Sequence, residues 1–128
     1  MTTPREHGPV LLIVDDEPRI LSALRRTLRR EGFEIFAAES AREALRILDE
    51  QPVHLILSDH KMPGMTGMQL LAQAAQRWPA AARILITGWT ESIPEQEIRA
   101  VGLRAIISKP WDDAELKEIL RTAAKELP

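Results

Sequence analysis

Leu55-Ile56-Leu57-Ser58-Asp59-His60-Lys61-Met62-Pro63-Gly64 decides the fold. An apolar run of strand length stops at a carboxylate, and turn formers begin at once. The run is short and apolar without alternation, which predicts a strand buried on both faces of a sheet. Asp59 sits where that strand leaves the sheet. In an open parallel sheet, ligands bind beyond the carboxyl ends of the strands. A lone Asp there more often caps the next turn, so the reading depends on which other groups join it.

Outward from this stretch the same unit repeats. Upstream, Val10 to Val14 is an apolar run ending at Asp15-Asp16. Glu17-Pro18 starts a helix, with Pro early, where its missing N–H costs little. Ile20, Leu21, Leu24 and Leu28 share one face, and Gly32 is expected to end the helix. Arg25, Arg26, Arg29 and Arg30 lie opposite, as a solvated face or, less simply, a docking one. Phe33 to Ala38 reads as a weaker strand nearer the sheet edge. Ser40 and Glu43 have the spacing of a capping box for the next helix, which buries Ala44, Leu45, Ile47 and Leu48 and ends before Pro52.

Downstream, Met68 to Trp78 is the third helix, stopped by Pro79. Arg83 to Thr87 is a fourth strand, and Pro94 to Val101 a short helix closed by Gly102. Ala105 to Ser108 is a fifth strand, followed by Lys109-Pro110. Asp112 or Asp113 starts the last helix, with Leu116, Ile119, Leu120 and Ala123 toward the core. Five strands alternating with five helices predict an α/β fold, a doubly wound parallel sheet covered on both faces, because crossovers are right-handed. The expected strand order is 2-1-3-4-5, with a crevice between strands one and three.

Composition removes several classes. At 128 residues the chain is one domain, with residues 1–9 expected as a loose polar tail and 10–128 as the folded unit. Its 45% hydrophobic and 28% charged residues are those of an ordinary globule. A net charge of −2 gives no general attraction to nucleic acid or anionic membrane. There is no Cys, hence no thiol chemistry or zinc-thiolate site, which fits the reducing cytoplasm. No apolar stretch approaches the roughly 20 residues of a membrane span.

Four of the five expected strands end in a group able to handle a metal and a phosphate: Asp15-Asp16, Asp59, Thr87 and Lys109. Taken singly, each has a plainer reading as a cap, a strand residue or a surface cation. Together they put carboxylates, a hydroxyl and an ammonium at one end of the sheet. Clustered carboxylates repel, and without a counter-charge at least one stays protonated. A hard divalent cation resolves this, and carboxylates plus water suit Mg²⁺. With charge screened, an Asp can attack phosphorus, since phosphoryl transfer needs mainly positioning and neutralisation.

These residues resemble the receiver domain of two-component response regulators, over residues 10 to about 125. Matching are Asp15-Asp16, Asp59 with Met62-Pro63 and Gly67, Thr87-Gly88 and Lys109-Pro110. The resemblance implies the flavodoxin-like receiver fold and a phosphoacceptor Asp59, loaded from a phosphohistidine on a sensor histidine kinase or phosphotransfer protein. It implies Mg²⁺ held by Asp16, Asp59 and the backbone carbonyl of Lys61, with Asp15 acting through water. It implies that Lys109 pairs with Asp59, that Thr87 closes onto the phosphoryl group, and that the domain switches an interaction surface rather than turning over a substrate. The resemblance also implies a cis Lys109-Pro110 bond, which lets the ammonium point into the crevice while the chain turns into the last helix. Where the family usually carries Phe or Tyr, three residues before the Lys, this chain has Ile106.

The output, domain or effector, is open; Lys109-Pro110-Trp111-Asp112 looks like receivers ahead of HD-GYP cyclic-dinucleotide phosphodiesterases. Trp89 and Trp111 flank the expected site in sequence as packing, shielding or docking residues. Rival readings fare less well. A haloacid dehalogenase-type phosphatase needs an Asp where Lys61 stands, and a cap domain. A flavin or nucleotide module needs a phosphate loop after the first strand, where Asp15-Asp16-Glu17-Pro18 stands instead. A docking module indifferent to phosphorylation would rest on Ile106 alone.

Overall fold

The computed structural model describes residues 8–88 and 92–128. In chain order the elements are β1 (Val10–Val14), α1 (Pro18–Leu28), β2 (Glu34–Ala38), α2 (Ala41–Glu50), β3 (Leu55–Asp59), α3 (Gly67–Arg77), β4 (Ala82–Gly88), α4 (Glu95–Val101), β5 (Leu103–Lys109) and α5 (Asp113–Lys125). All pairings are parallel, in the order β2-β1-β3-β4-β5. The chain therefore has the flavodoxin-like doubly wound architecture, with its crevice where β1 and β3 diverge toward opposite edges.

Burial on both faces explains the unbroken apolar strands. Leu12, Val14, Ile56 and Leu85 pack on one side with Ala44 and Leu48 of α2 and Leu71 of α3. Leu11, Ile13, Leu57 and Ile86 pack on the other with Leu24 and Leu28 of α1 and Leu116 and Leu120 of α5. Each fully buried Leu or Ile contributes about 1.5–3 kcal/mol. The edge strand β2 has only Ala38 buried.

Boundaries move where local bonds differ from the expected ones. The first helix ends at Leu28, not at Gly32: Glu31 N–H donates to the Leu28 carbonyl in a tight turn, and Arg121 grips the Glu31 carboxylate at 2.5 and 3.0 Å. Arg29 and Arg30 thus follow the helix, and Gly32 turns the chain beyond it at φ +87°. At Ser40 half the capping box forms: the hydroxyl accepts from Glu43 N–H at 3.1 Å, but the Glu43 carboxylate accepts from the Glu39 backbone at 3.3 Å. The third helix starts at Gly67 because Thr66 and Gln69 make a full capping box. Strands four and five are longer than expected: Ala82 pairs with Leu55, Gly88 pairs with Lys109, and Arg83 pairs with Leu103 before a register shift that leaves Arg104 out of the ladder. The expected tail is described only from Gly8; Pro9 accepts from Glu34 N–H at 3.1 Å.

Candidate functional site

The carboxyl ends of β1, β3, β4 and β5 assemble the site. Asp15 follows β1 and is fully buried; its Oδ1 accepts from Glu17 N–H at 2.9 Å. Asp15 is not the cap of α1, whose N-cap is Glu17 with no side-chain cap bond; its Oδ1 instead closes a local turn onto Glu17 N–H, which leaves the second oxygen for the crevice. Asp59 ends β3 and is 5% exposed. Asp15, Asp16 and Asp59 offer oxygens that all lie within 4.8 Å of one another.

Lys109 closes the arrangement from β5. Its ammonium lies 2.8 Å from Asp15 Oδ2 and 3.4 Å from Asp59 Oδ1, so its tighter partner is Asp15. The Lys109-Pro110 bond is cis. Burial alone would weaken the Lys109 proton affinity, but the bonds and charges of Asp15 and Asp59 outweigh it and raise the pKa. Burial and the charge of Asp15 push the Asp59 carboxyl above its usual range, against the opposing pull of Lys109 and of the His60 backbone N–H. A carboxylate is thereby held in a crevice where negative charge is only partly offset.

Thr87 is buried on β4, one position beyond Ile86, the residue paired with Asp59. Its hydroxyl donates to the Gly88 carbonyl at 3.4 Å, a long bond that is readily exchanged. Lys61 stands exposed two residues past Asp59, while Met62 turns inward. Gly67 has a local necessity: a Cβ there would fall 2.0 Å from the Asp59 carbonyl oxygen. Of the two flanking tryptophans, Trp89 lies outside the described residues. Trp111 is half-buried and donates its indole N–H to Asp113 Oδ1 at 2.9 Å. In the sequence Asp113 reads only as a possible helix start. Its bond to Thr27 spans 86 residues, which no local pattern reveals.

The donor set suits a hard divalent cation. Three carboxylates gathered around one point, with Asp59 disfavoured as an anion, supply oxygen ligands and an unmet need for positive charge.

A doubly wound sheet with an acidic cluster and a lysine at its switch point defines the receiver class of signalling domains. The chain belongs to the response regulator receiver domain family, which matches residues 11–121. Over 118 residues it is 43% identical to the hydrogenase transcriptional regulatory protein HoxA of Cupriavidus necator, covering 90% of this chain and 24% of HoxA. It is 35% identical to the transcriptional regulatory protein GlrR of Escherichia coli, covering 94% of this chain and 27% of GlrR. The chain thus spans about a quarter of the length of these curated relatives. Among solved structures, the signal receiver domain of an HD domain-containing protein from Pseudomonas fluorescens Pf-5 superposes with TM-score 0.88 at 34% identity, covering 92% of this chain and 95% of that one. The response regulator TrrA of Thermotoga maritima, in complex with Mg²⁺ and BeF, superposes with TM-score 0.82 at 30% identity, covering 90% and 98%. Among the described residues no helix is long and apolar enough to cross a membrane.

Proposed function

We propose that Asp59 is the phosphoacceptor of a Mg²⁺-dependent switch, loaded from a phosphohistidine on a sensor histidine kinase or phosphotransfer protein. The observation that carries this reading is the cluster itself: Asp15, Asp16 and Asp59 offer oxygens within 4.8 Å of one another, with Lys109 bridging Asp15 and Asp59. An Asp59 oxygen forms the bond to phosphorus while the bond from phosphorus to the donor nitrogen breaks. Lys109 stays beside the developing charge, and the Thr87 hydroxyl is free to leave its long bond to Gly88 for a phosphoryl oxygen. Asp15, Asp16, Asp59 and the Lys61 carbonyl would hold Mg²⁺, which when bound neutralises charge on the transferring group. The Mg²⁺ and BeF bound by TrrA, a relative of the same fold, support this assignment.

In this reading the domain promotes gain and loss of its own phosphoryl group and has no other substrate. The output lies in another segment or partner. HoxA and GlrR, transcriptional regulators by name, favour transcriptional control; the Pseudomonas HD-domain protein keeps the phosphodiesterase alternative. The site serves signalling in the cytoplasm, and the domain itself contacts neither nucleic acid nor membrane. Incubation with acetyl phosphate and Mg²⁺ should add one phosphoryl group, located at Asp59 by mass spectrometry of borohydride-trapped peptides. Undiminished labelling of Asp59→Asn would place the acceptor elsewhere.

A further inference from the structure

Trp111 and Asp113 are not used by the phosphoacceptor chemistry, yet they meet beside it. Trp111 comes two residues after Lys109, and its indole N–H donates to Asp113 Oδ1 at 2.9 Å. The same oxygen accepts from the Thr27 hydroxyl on α1 at 3.2 Å. Asp112 serves as the helix cap, accepting from Glu115 N–H at 2.9 Å, so the Asp113 carboxylate is left for this bridge. Beside it, α1 and the Lys109-Pro110-Trp111 turn do not close on each other. A groove of about 740 Å³ separates them, lined by Ile20, Ala23, Arg26, Thr27, Lys109 and Trp111 among others.

The Trp111 ring packs against the core beneath α1 and α5, but the turn that carries it borders open space and the lysine adds a flexible four-carbon stem. Lys109 must nevertheless satisfy two carboxylates from two other strands. We propose that Trp111 is a positioning residue for Lys109: through Asp113 and Thr27 it braces the Lys109 turn against α1, keeping the ammonium within reach of both Asp15 and Asp59. The consequence for phosphorylation rests on the phosphoacceptor reading; the brace itself rests on the geometry of the turn. It also gives α1 a mechanical route to the site, since a displacement of Thr27 passes through one carboxylate to the lysine turn.

The test uses the whole chain as wild type, Trp111→Phe, Asp113→Ala and Asp113→Asn. Phe keeps the ring and loses the N–H; Asn keeps an acceptor oxygen. Order of the Lys109 ammonium is read by ¹⁵N NMR at low temperature, and Asp59 labelling by acetyl phosphate with Mg²⁺. Trp111→Phe and Asp113→Ala should loosen the Lys109 signal and slow labelling by up to about tenfold, the scale of a small misplacement of a reacting group. Asp113→Asn, which keeps the acceptor oxygen, should stay near wild type. Lys109 order unchanged in both Trp111→Phe and Asp113→Ala, in a wild type that labels normally, overturns the brace. Should Asp113→Ala not fold, Trp111→Phe decides alone. A wild type that takes no phosphoryl group, with Lys109 order still lost in the variants, supports the brace and overturns the phosphoacceptor reading instead.

Discussion

Asp59 shows how a single residue carries stored electrostatic cost. Its carboxyl is held above its usual range by burial first and by Asp15 second, so folding takes place against the charged form. An acid whose folded pKa is raised binds more protons folded than unfolded, so its contribution falls as pH rises from the unfolded pKa through the folded one. Above that window the cost is fully present. Asp59→Asn should therefore stabilise the protein at neutral pH, within the about 0.5–2 kcal/mol usual for single stabilising substitutions, with the gain vanishing in acid. Thermal melts of both proteins at pH 7 and pH 3 check this; an Asn variant less stable at pH 7 would mean that Lys109 and the His60 N–H outweigh the repulsion. Lys109 has the opposite sign. Its pKa is raised over the burial effect by Asp15 and Asp59, so its contribution is complete below the unfolded lysine value and lost as pH rises through the folded one. Lys109→Ala leaves buried Asp15 without its 2.8 Å partner and should cost about 1.5–3 kcal/mol, the range for hydrogen bonds to charged groups. Urea unfolding measures it, and millimolar Mg²⁺ should recover part of the loss by supplying the missing positive charge.

Two elements are placed by single residues at their ends. α3 is capped by Thr66 and Gln69, and its first residue, Gly67, donates to the His60 carbonyl at 2.8 Å. There is no room for a side chain: a Cβ at Gly67 would meet the Asp59 carbonyl at 2.0 Å and its carbon at 2.8 Å. Gly67→Ala must push α3 or the end of β3 aside. It should cost about 1–3 kcal/mol, as overpacking does, and slow Asp59 labelling more than a change of equal cost in α2; equal slowing would reduce Gly67 to a stability residue. At the opposite end of the sheet, Arg83 holds the end of α4. Its guanidinium donates to the carbonyls of Val101 and Ala81, both at 2.8 Å, and α4 buries only Val101. Arg83→Met keeps the apolar stem and should speed amide exchange across α4 without changing that of α3. These cases show where the sequence was legible. β1 and β3 stand out because apolar runs leave few alternatives; the Thr66 cap, whose Thr-x-x-Gln spacing is in the sequence, is missed, and the helix is expected only from Met68. The Thr27–Asp113–Trp111 junction and the Arg83 contacts join residues distant in sequence, which only the folded packing brings together.

At the scale of the whole molecule, the question is how a change at Asp59 reaches another surface. Thr87 lies one residue beyond the strand partner of Asp59, and Leu85, two residues earlier, pairs with Ile106 on β5. Ile106, 40% exposed, is the exposed large hydrophobic side chain among the described residues. A relay from Thr87 to the face of α4, β5 and α5 passes this position. Ile is stiff at χ1 and short, and it cannot swing an aromatic ring between solvent and a space vacated by Thr87. Coupling to that face should be weak here, or carried by backbone shifts around Thr87 and Gly88. Switch couplings are typically about 1–3 kcal/mol, so one missing packing element is enough to remove most of the effect. Backbone NMR with and without beryllofluoride, in wild type and Ile106→Tyr, measures this. Larger changes at residues 95–107 and 115–122 in the Tyr variant are expected, because a ring restores a group with two packing positions. A full response in the wild type, unchanged by the substitution, would mean that the signal bypasses Ile106 and that the backbone of β4 alone carries it.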